Sequence, residues 1–436
     1  MKKFLIVLVM LVIASLCAGI QKSYAGEIDI LLQKLVDKGI LTPGEAQQVR
    51  TETREQVKAE IAAGKFSSLS AWVQNTKLKG DFRVRYQRDH TASTTSINRD
   101  RARIRMRLGL ESKVNEKLKT GIGIATGLSD GSTDASRSTN ATLENGFSKK
   151  AIALDYAYAE YSALPWLTLT GGKFKNPLWE PGDLIWDTDI NPEGGAIKFS
   201  RQIGSKIEVF LNTGAFVLDE INSSNNGVTA ANGKDPYICA VQPGVNFQMS
   251  DTASVKGAVS YMNAVNAKFL TLDGTTSRNS RTVGGALNED FVMVSPALEF
   301  TMKDSLKALK IDLPYLALFG EYVENVAQEV KTDNTGFMLG CKFGAEKVTK
   351  WGDWQVRYNY AMLGKDSVLD ILPDSDRYGG YTGVKAHEVM FDWGLGPNTW
   401  LGLDIYNAWS IPGNFPTSSN RTSPKFVYQF DWNMKF

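Results

Sequence analysis

The segment KFVYQFDWNMKF at residues 425–436 alternates in character. Phe426, Tyr428, Phe430, Trp432, Met434 and Phe436 fall on one parity, and Lys425, Val427, Gln429, Asp431, Asn433 and Lys435 on the other. Successive side chains of a strand point to opposite faces, so the pattern predicts a strand with one aromatic face and one polar face. A buried terminal strand of a soluble sandwich would share it. Aromatics at both ends of the apolar face, and a length close to the roughly 9–11 residues of a tilted membrane-spanning strand, fit a lipid-facing strand better.

The same period of two recurs upstream. Leu78, Gly80, Phe82, Val84 and Tyr86 alternate with Lys79, Asp81, Arg83, Arg85 and Gln87. After a polar stretch from His90 to Asn98, Ala102, Ile104, Met106, Leu108 and Leu110 alternate with Arg101, Arg103, Arg105, Arg107 and Gly109. The pair predicts a hairpin with one apolar and one cationic face. Further candidate strands lie near 118–128, 151–162, 167–174, 195–201, 206–217, 236–248, 253–263, 290–302, 315–325, 335–344, 353–362, 384–395, 399–408 and 425–436, sixteen in all. Short connections (114–116, 164–166, 250–251, 396–398) alternate with long ones (129–150, 175–194, 218–235, 264–289, 363–383, 409–424). That is the layout of an outer-membrane barrel. The expected fold is all-β, an antiparallel up-and-down barrel of about 16 strands; the long 303–314 connection leaves the count open by two.

Residues before Leu78 follow another rhythm. Ile28, Ile30, Leu31, Leu35 and Val36 have helical spacing, and Gly39 would stop that helix. Thr42-Pro43-Gly44-Glu45 predicts a capping box opening a second helix to about Ala63. The charged Lys2 and Lys3, the apolar run 4–20 and Ser23-Tyr24-Ala25 read as a secretory signal cleaved before Gly26. The run approaches a spanning helix in length, so an uncleaved anchor is the alternative. Leu16 before Cys17 is too large for a lipidation site. The expected organisation is a signal peptide at 1–25, a periplasmic helical segment at 26–76 and an outer-membrane barrel at 77–436.

Composition narrows the function classes. Removal of Lys2, Lys3 and Lys22 takes the 49 basic residues to 46 against 47 acidic, so no nucleic-acid partner is indicated. Cys239 and Cys341, left after processing, are too few for a disulfide scaffold. Only two histidines exist, His90 and His387. A Ser-His-Asp hydrolase would need His387 beside a serine that no spacing selects, and His387 reads more simply as a lumenal side chain. No CxxC, GxGxxG, P-loop or C-x-x-C-H pattern occurs, and no cofactor is expected.

The KGILTPGEA turn, the DFRVRY and RARIRMRLGL strands, the GKFKNPLWEPGDLIWDTDINPEGG stretch and the Phe-terminated last strand resemble the putative porins of Gram-negative bacteria. The resemblance implies a passive channel for small hydrophilic solutes and ions, commonly a homotrimer in outer-membrane lipid. It also marks Phe436 as the signal read by the barrel-assembly machinery.

Parity places Arg83, Arg85, Arg101, Arg103, Arg105 and Arg107 in the lumen, with Arg99 at the lip. Lipid exposure would cost roughly 2–4 kcal/mol per cation near the midplane. The 175–194 loop carries Glu180, Asp183, Asp187, Asp189 and Glu193. In trimeric porins, which the chain resembles, the loop at that point folds inward, so an acidic loop would face a basic wall and set a transverse field. A surface loop, with the arginines paired within the wall, is the alternative. A calcium site at Asp183, Asp187 and Asp189 is poorly spaced. The near balance of charge leans weakly to anions. An anion- or phosphate-selective porin, a scaffold barrel for an electron-transfer cytochrome and an outer-membrane hydrolase remain as further readings.

Overall fold

The computed structural model describes residues 31–62, 71–92, 98–127, 136–221, 234–270, 279–280, 287–304, 313–412 and 423–436. The expected signal peptide lies outside them. The chain divides into two units, Met1–Asn75 and Thr76–Phe436.

In the first unit, residues 31–37 are helical and Gly39 closes the turn at φ +69°. Helix α1 (Pro43–Ala62) opens on the expected capping box. The Thr42 N–H donates to Glu45 Oε2 at 2.8 Å, and the Glu45 N–H donates to Thr42 Oγ1 at 3.3 Å. A single turn, α2 (Ala71–Gln74), follows. No helix among the described residues is long and apolar enough to cross a membrane.

The second unit is a closed antiparallel barrel of 16 strands, with a two-residue ladder added at one rim. In chain order its elements are β1 (Thr76–Thr91), β2 (Arg99–Lys113), β3 (Leu118–Thr126), the short β4 (Ala141–Thr142), β5 (Ile152–Leu164), β6 (Leu167–Lys173), β7 (Glu193–Ile203) and β8 (Ile207–Val217). Then come β9 (Tyr237–Gln248), β10 (Ala253–Val265), β11 (Phe291–Lys303), β12 (Tyr315–Asn325), β13 (Thr335–Gly344), β14 (Trp354–Leu363), β15 (Val384–Gly396), β16 (Thr399–Ser410) and β17 (Lys425–Lys435). Long strands pair with their chain neighbours, β3 pairs with β5, and β17 returns to β1. Closure leaves no edge, which lipid requires because it offers no partner to a backbone amide.

Each end of the seam is fixed. Asp81 lies opposite Lys435 and Thr91 opposite Lys425. Past β17, Gly80 and Phe436 exchange two backbone hydrogen bonds of 2.9 and 3.0 Å. The Phe436 ring lies over Gly80, where an added Cβ would come within 2.5 Å of ring carbons. Phe436 itself is exposed on the outer face.

Burial follows parity. In β1 the outward Val84 and Tyr86 are exposed, and the inward Arg85 and Gln87 are buried. The hydrophobic core lies inside the barrel. Leu184, Ile185 and Trp186 of the 174–192 connection and Val368, Leu369 and Leu372 of the 364–383 connection pack against inward residues of β7 to β14, among them Phe216, Met262 and Met338. Two connections therefore fold into the lumen on a patch of wall that is apolar on its inner side.

Candidate constriction site

Loop 364–383 is the hub that holds the inward connections together. Asp187 N–H donates to the Leu372 carbonyl at 2.7 Å, and Ser375 N–H donates to Asp187 Oδ2 at 2.8 Å. The buried Arg137, from the connection before β5, donates to the carbonyls of Asp370, Pro373 and Gly380 at 3.0–3.1 Å. Arg377 is fully buried; it binds Asp183 at 2.9 Å and makes a close ion pair with Glu388 of β15. Burial alone would raise the Asp183 carboxyl, but Arg377 and Arg357 hold it below the usual carboxylate range.

The seven arginines singled out from sequence take different roles. Arg85 grips Asp431 of β17 with two bonds of 2.7 Å and reaches Asp376 of the hub loop at 3.3 Å. Arg83 donates to Asn140 at 2.5 Å and lies 3.5 Å from Asp431. Arg103 donates to Gln87 at 3.0 Å, and Arg101 to Asp89 at 2.5 Å. Asp81 is shared by Arg105 at 2.8 Å and Arg107 at 2.7 Å, and Arg107 also reaches Asp189 at 3.2 Å. Arg99 stands exposed at the outer end of β2. Most of the wall is thus neutralised by carboxylates of its own strands and the hub loop. Among the described contacts, Asp189 is the acidic-loop residue that pairs with it.

The other loop acids go elsewhere. Asp183 faces Arg377, Glu193 pairs with Lys173 at 2.8 Å, and Asp187 caps Ser375 and Asp189 N–H groups. Burial and the nearby Glu321 push the Glu180 carboxyl well above its usual range. Burial first, and Asp189 second, push Asp187 up to about 7. No group of three or more His, Cys, Asp or Glu among the described residues could hold a metal ion.

A cavity of about 480 Å³ opens between the loop and the β1–β2 wall. Lys79, Asp81, Arg107, Asp155, Asp187 and Asp189 are among its polar lining. Cations and carboxylates therefore face one another across a gap large enough for hydrated ions and small solutes.

His387 corrects the lumenal reading. Ala386 and Glu388 are the buried, inward residues of β15, so His387 points outward. There its Nδ1 meets the Tyr358 hydroxyl at 2.9 Å, and its ring packs with Tyr360 and Trp409. The parity was readable, because Val389, Phe391 and Trp393 share its face. Sequence patterning does not single out the hub loop: Asp376 and Arg377 lie in LPDSDRYGG, and the one signal there is a charged run in a long Gly-containing connection.

A family model described as putative porin matches residues 91–284 and 299–436. No curated protein matches. Among solved structures, OprB of Pseudomonas putida is similar, at 11% identity over 83% of this chain and 94% of that one, with a TM-score of 0.52. OmpF of Salmonella typhi, in complex with daunomycin, is 12% identical over 83% of this chain and 97% of that one, at a TM-score of 0.46. At such identity the likeness to OprB speaks for the fold.

Proposed function

The chain belongs to the putative porin family and is an outer-membrane channel, and from that premise we propose that small hydrophilic solutes and ions diffuse passively through the gap between the 174–192 loop and the β1–β2 wall. The observation that carries this reading is Arg107, which lines the gap and reaches Asp189 across it while sharing Asp81 with Arg105. Opposite charges fixed on facing walls set a field across the path, which orients dipolar solutes and disfavours bulky apolar ones.

Arg85 and Arg103 act differently in this account. Both are buried, Arg85 to 2% exposure, and Arg85 ties the hub loop to the seam. They position the constriction, and Arg107, Lys79, Lys175 and Lys435 supply the charge that a permeating ion meets. The facing carboxylates of Asp81, Glu111, Asp155 and Asp189 offset most of that charge, burial shifts Glu180 and Asp187 toward the neutral form, and the resulting anion preference is weak. Conductance of the purified protein in a planar bilayer, with its reversal potential in a salt gradient, tests both parts.

The remaining assignments belong to the same proposal. The segment 1–25 is a cleaved signal, 26–76 a periplasmic helical segment, and 77–436 the barrel. The chain assembles as a homotrimer through the low wall at its amino end, where β3 and β6 are the shortest of the long strands. Crosslinking in mild detergent tests the trimer.

A further inference from the structure

Beside the constriction, the inner wall carries a second feature. Tyr156 and Tyr158 of β5 lie flat against the neighbouring strands, because three glycines clear the floor beneath them. A Cβ at Gly121 would come within 2.5 Å of the Tyr158 ring. One at Gly123 would come within 2.2 Å of the Tyr156 ring, and one at Gly109 would meet its hydroxyl. The two rings, with centroids 5.9 Å apart, form a platform on β5 whose floor spans β2 and β3.

This platform lines a cavity of about 190 Å³ that also contains Lys119, Lys175, Lys198, Glu111 and Glu160. Three lysines thus face two glutamates. Glu111 is engaged by Lys79 at 2.6 Å, a lysine outside this lining, and more loosely by Lys119 at 3.9 Å. Lys119 Nζ stands 5.7 Å from the Tyr158 ring centroid. Lys175 and Lys198 make no hydrogen bond or ion pair among the described residues. The cavity is smaller than the roughly 300–1,000 Å³ of sites for drug-sized ligands, which limits it to a single-ring solute. It shares Glu111, Tyr156 and Lys175 with the lining of the constriction, so a solute held here stands at the entrance to the narrow part.

We propose that this cavity is a solute subsite for small aromatic carboxylates, the ring stacked on the Tyr156–Tyr158 platform and the carboxylate held by Lys119, Lys175 and Lys198. The inference rests on the channel reading for its purpose, but not for its test. An aromatic ring on an aromatic platform gains from offset or edge contacts. A carboxylate finds charge-assisted donors in the two unengaged ammonium groups. A subsite next to the constriction raises the local concentration of the solute at the narrowest point of its path.

The test uses the full-length folded barrel and three probes: benzoate, acetate and glucose. Calorimetry reads binding directly, and bilayer current in potassium chloride reads the channel. Benzoate is expected to bind saturably and to reduce the current in a concentration-dependent way, with acetate and glucose bound far more weakly. Changing Lys175→Ala and Lys198→Ala together should weaken benzoate binding by about ten- to a hundredfold. Gly121→Val lifts the Tyr158 ring without changing any charge, and should weaken it about two- to tenfold. Tyr158→Ala, which leaves the wall glycines untouched, should give the same loss and serves if Gly121→Val does not insert. Acetate bound as tightly as benzoate overturns the platform, and glucose bound as tightly overturns the anion site. A barrel that conducts chloride salts yet binds no benzoate overturns the subsite and leaves the channel standing. A barrel that binds benzoate but passes no current upholds the subsite and contradicts the channel.

Discussion

Arg85 and Asp431 face each other in register across the seam that closes the barrel, joined by two hydrogen bonds of 2.7 Å. They lie 346 residues apart in the chain. The bidentate geometry is the strong form of an arginine–carboxylate contact. Asp376 at 3.3 Å and Asp404 at 3.7 Å complete the cluster, so one guanidinium joins β1, β16, β17 and the hub loop.

Arg85→Ala would leave three carboxylates without their shared cation. Breaking one side of a buried ion pair costs about 3–5 kcal/mol. The expected result is a barrel whose midpoint in urea, followed by the mobility shift of unheated samples, falls well below that of the parent. Asp431→Asn, which keeps a hydrogen-bonding oxygen and leaves Asp376 and Asp404 to pair, should cost less.

Arg377→Ala addresses the loops rather than the seam. It removes the ties that pin the 364–383 connection to Asp183 of the 174–192 connection and to Glu388 of β15. Single-channel conductance should rise and current noise should increase, together with the loss of stability expected when Glu388 is left buried without its cation. An unchanged conductance would place the narrow part elsewhere.

Asp187 makes the channel sensitive to pH near neutrality. Burial and Asp189 push it up to about 7, so it is neutral below that pH and anionic above it. Acidification through 7 removes a negative charge from the constriction and should raise the anion preference. Asp187→Asn should abolish the step. The sign for stability follows from linkage: the native state holds a proton that an unfolded aspartate, with a pKa near ~3.9, releases. Stability therefore falls as pH rises from about 4 to about 7, and Asp187→Asn flattens that slope.

Alternation is a local property, and it made the strands legible. Lipid on one side and lumen on the other impose a period of two on each strand separately, so Val84 against Arg85, or Phe430 against Asp431, could be read from a few neighbours. Partnership across the lumen is not local. Nothing in DFRVRY points to Asp431 or Asp376, and nothing in the 175–194 stretch tells that Asp189 reaches Arg107 while Asp183 turns to Arg377. The inward lean of that loop is explained by Leu184, Ile185 and Trp186, an apolar run whose burial depends on a wall patch drawn from eight strands, β7 to β14.

Phe436 should be needed for assembly. Its backbone completes the seam with Gly80, and its ring covers that glycine on the outer face. Deleting Phe436, or changing it to Asp, should leave unfolded protein in the periplasm, seen by fractionation and loss of the heat-dependent mobility shift.

The central claim, a transverse field between Arg107 and the loop acids, is tested most directly by the reversal potential of single channels in a salt gradient, compared between the parent, Arg107→Ser and Asp189→Asn. The account predicts a weak anion preference for the parent, a shift toward cations in Arg107→Ser and a shift toward anions in Asp189→Asn. Reversal potentials that coincide in all three proteins, with conductance intact, would contradict it.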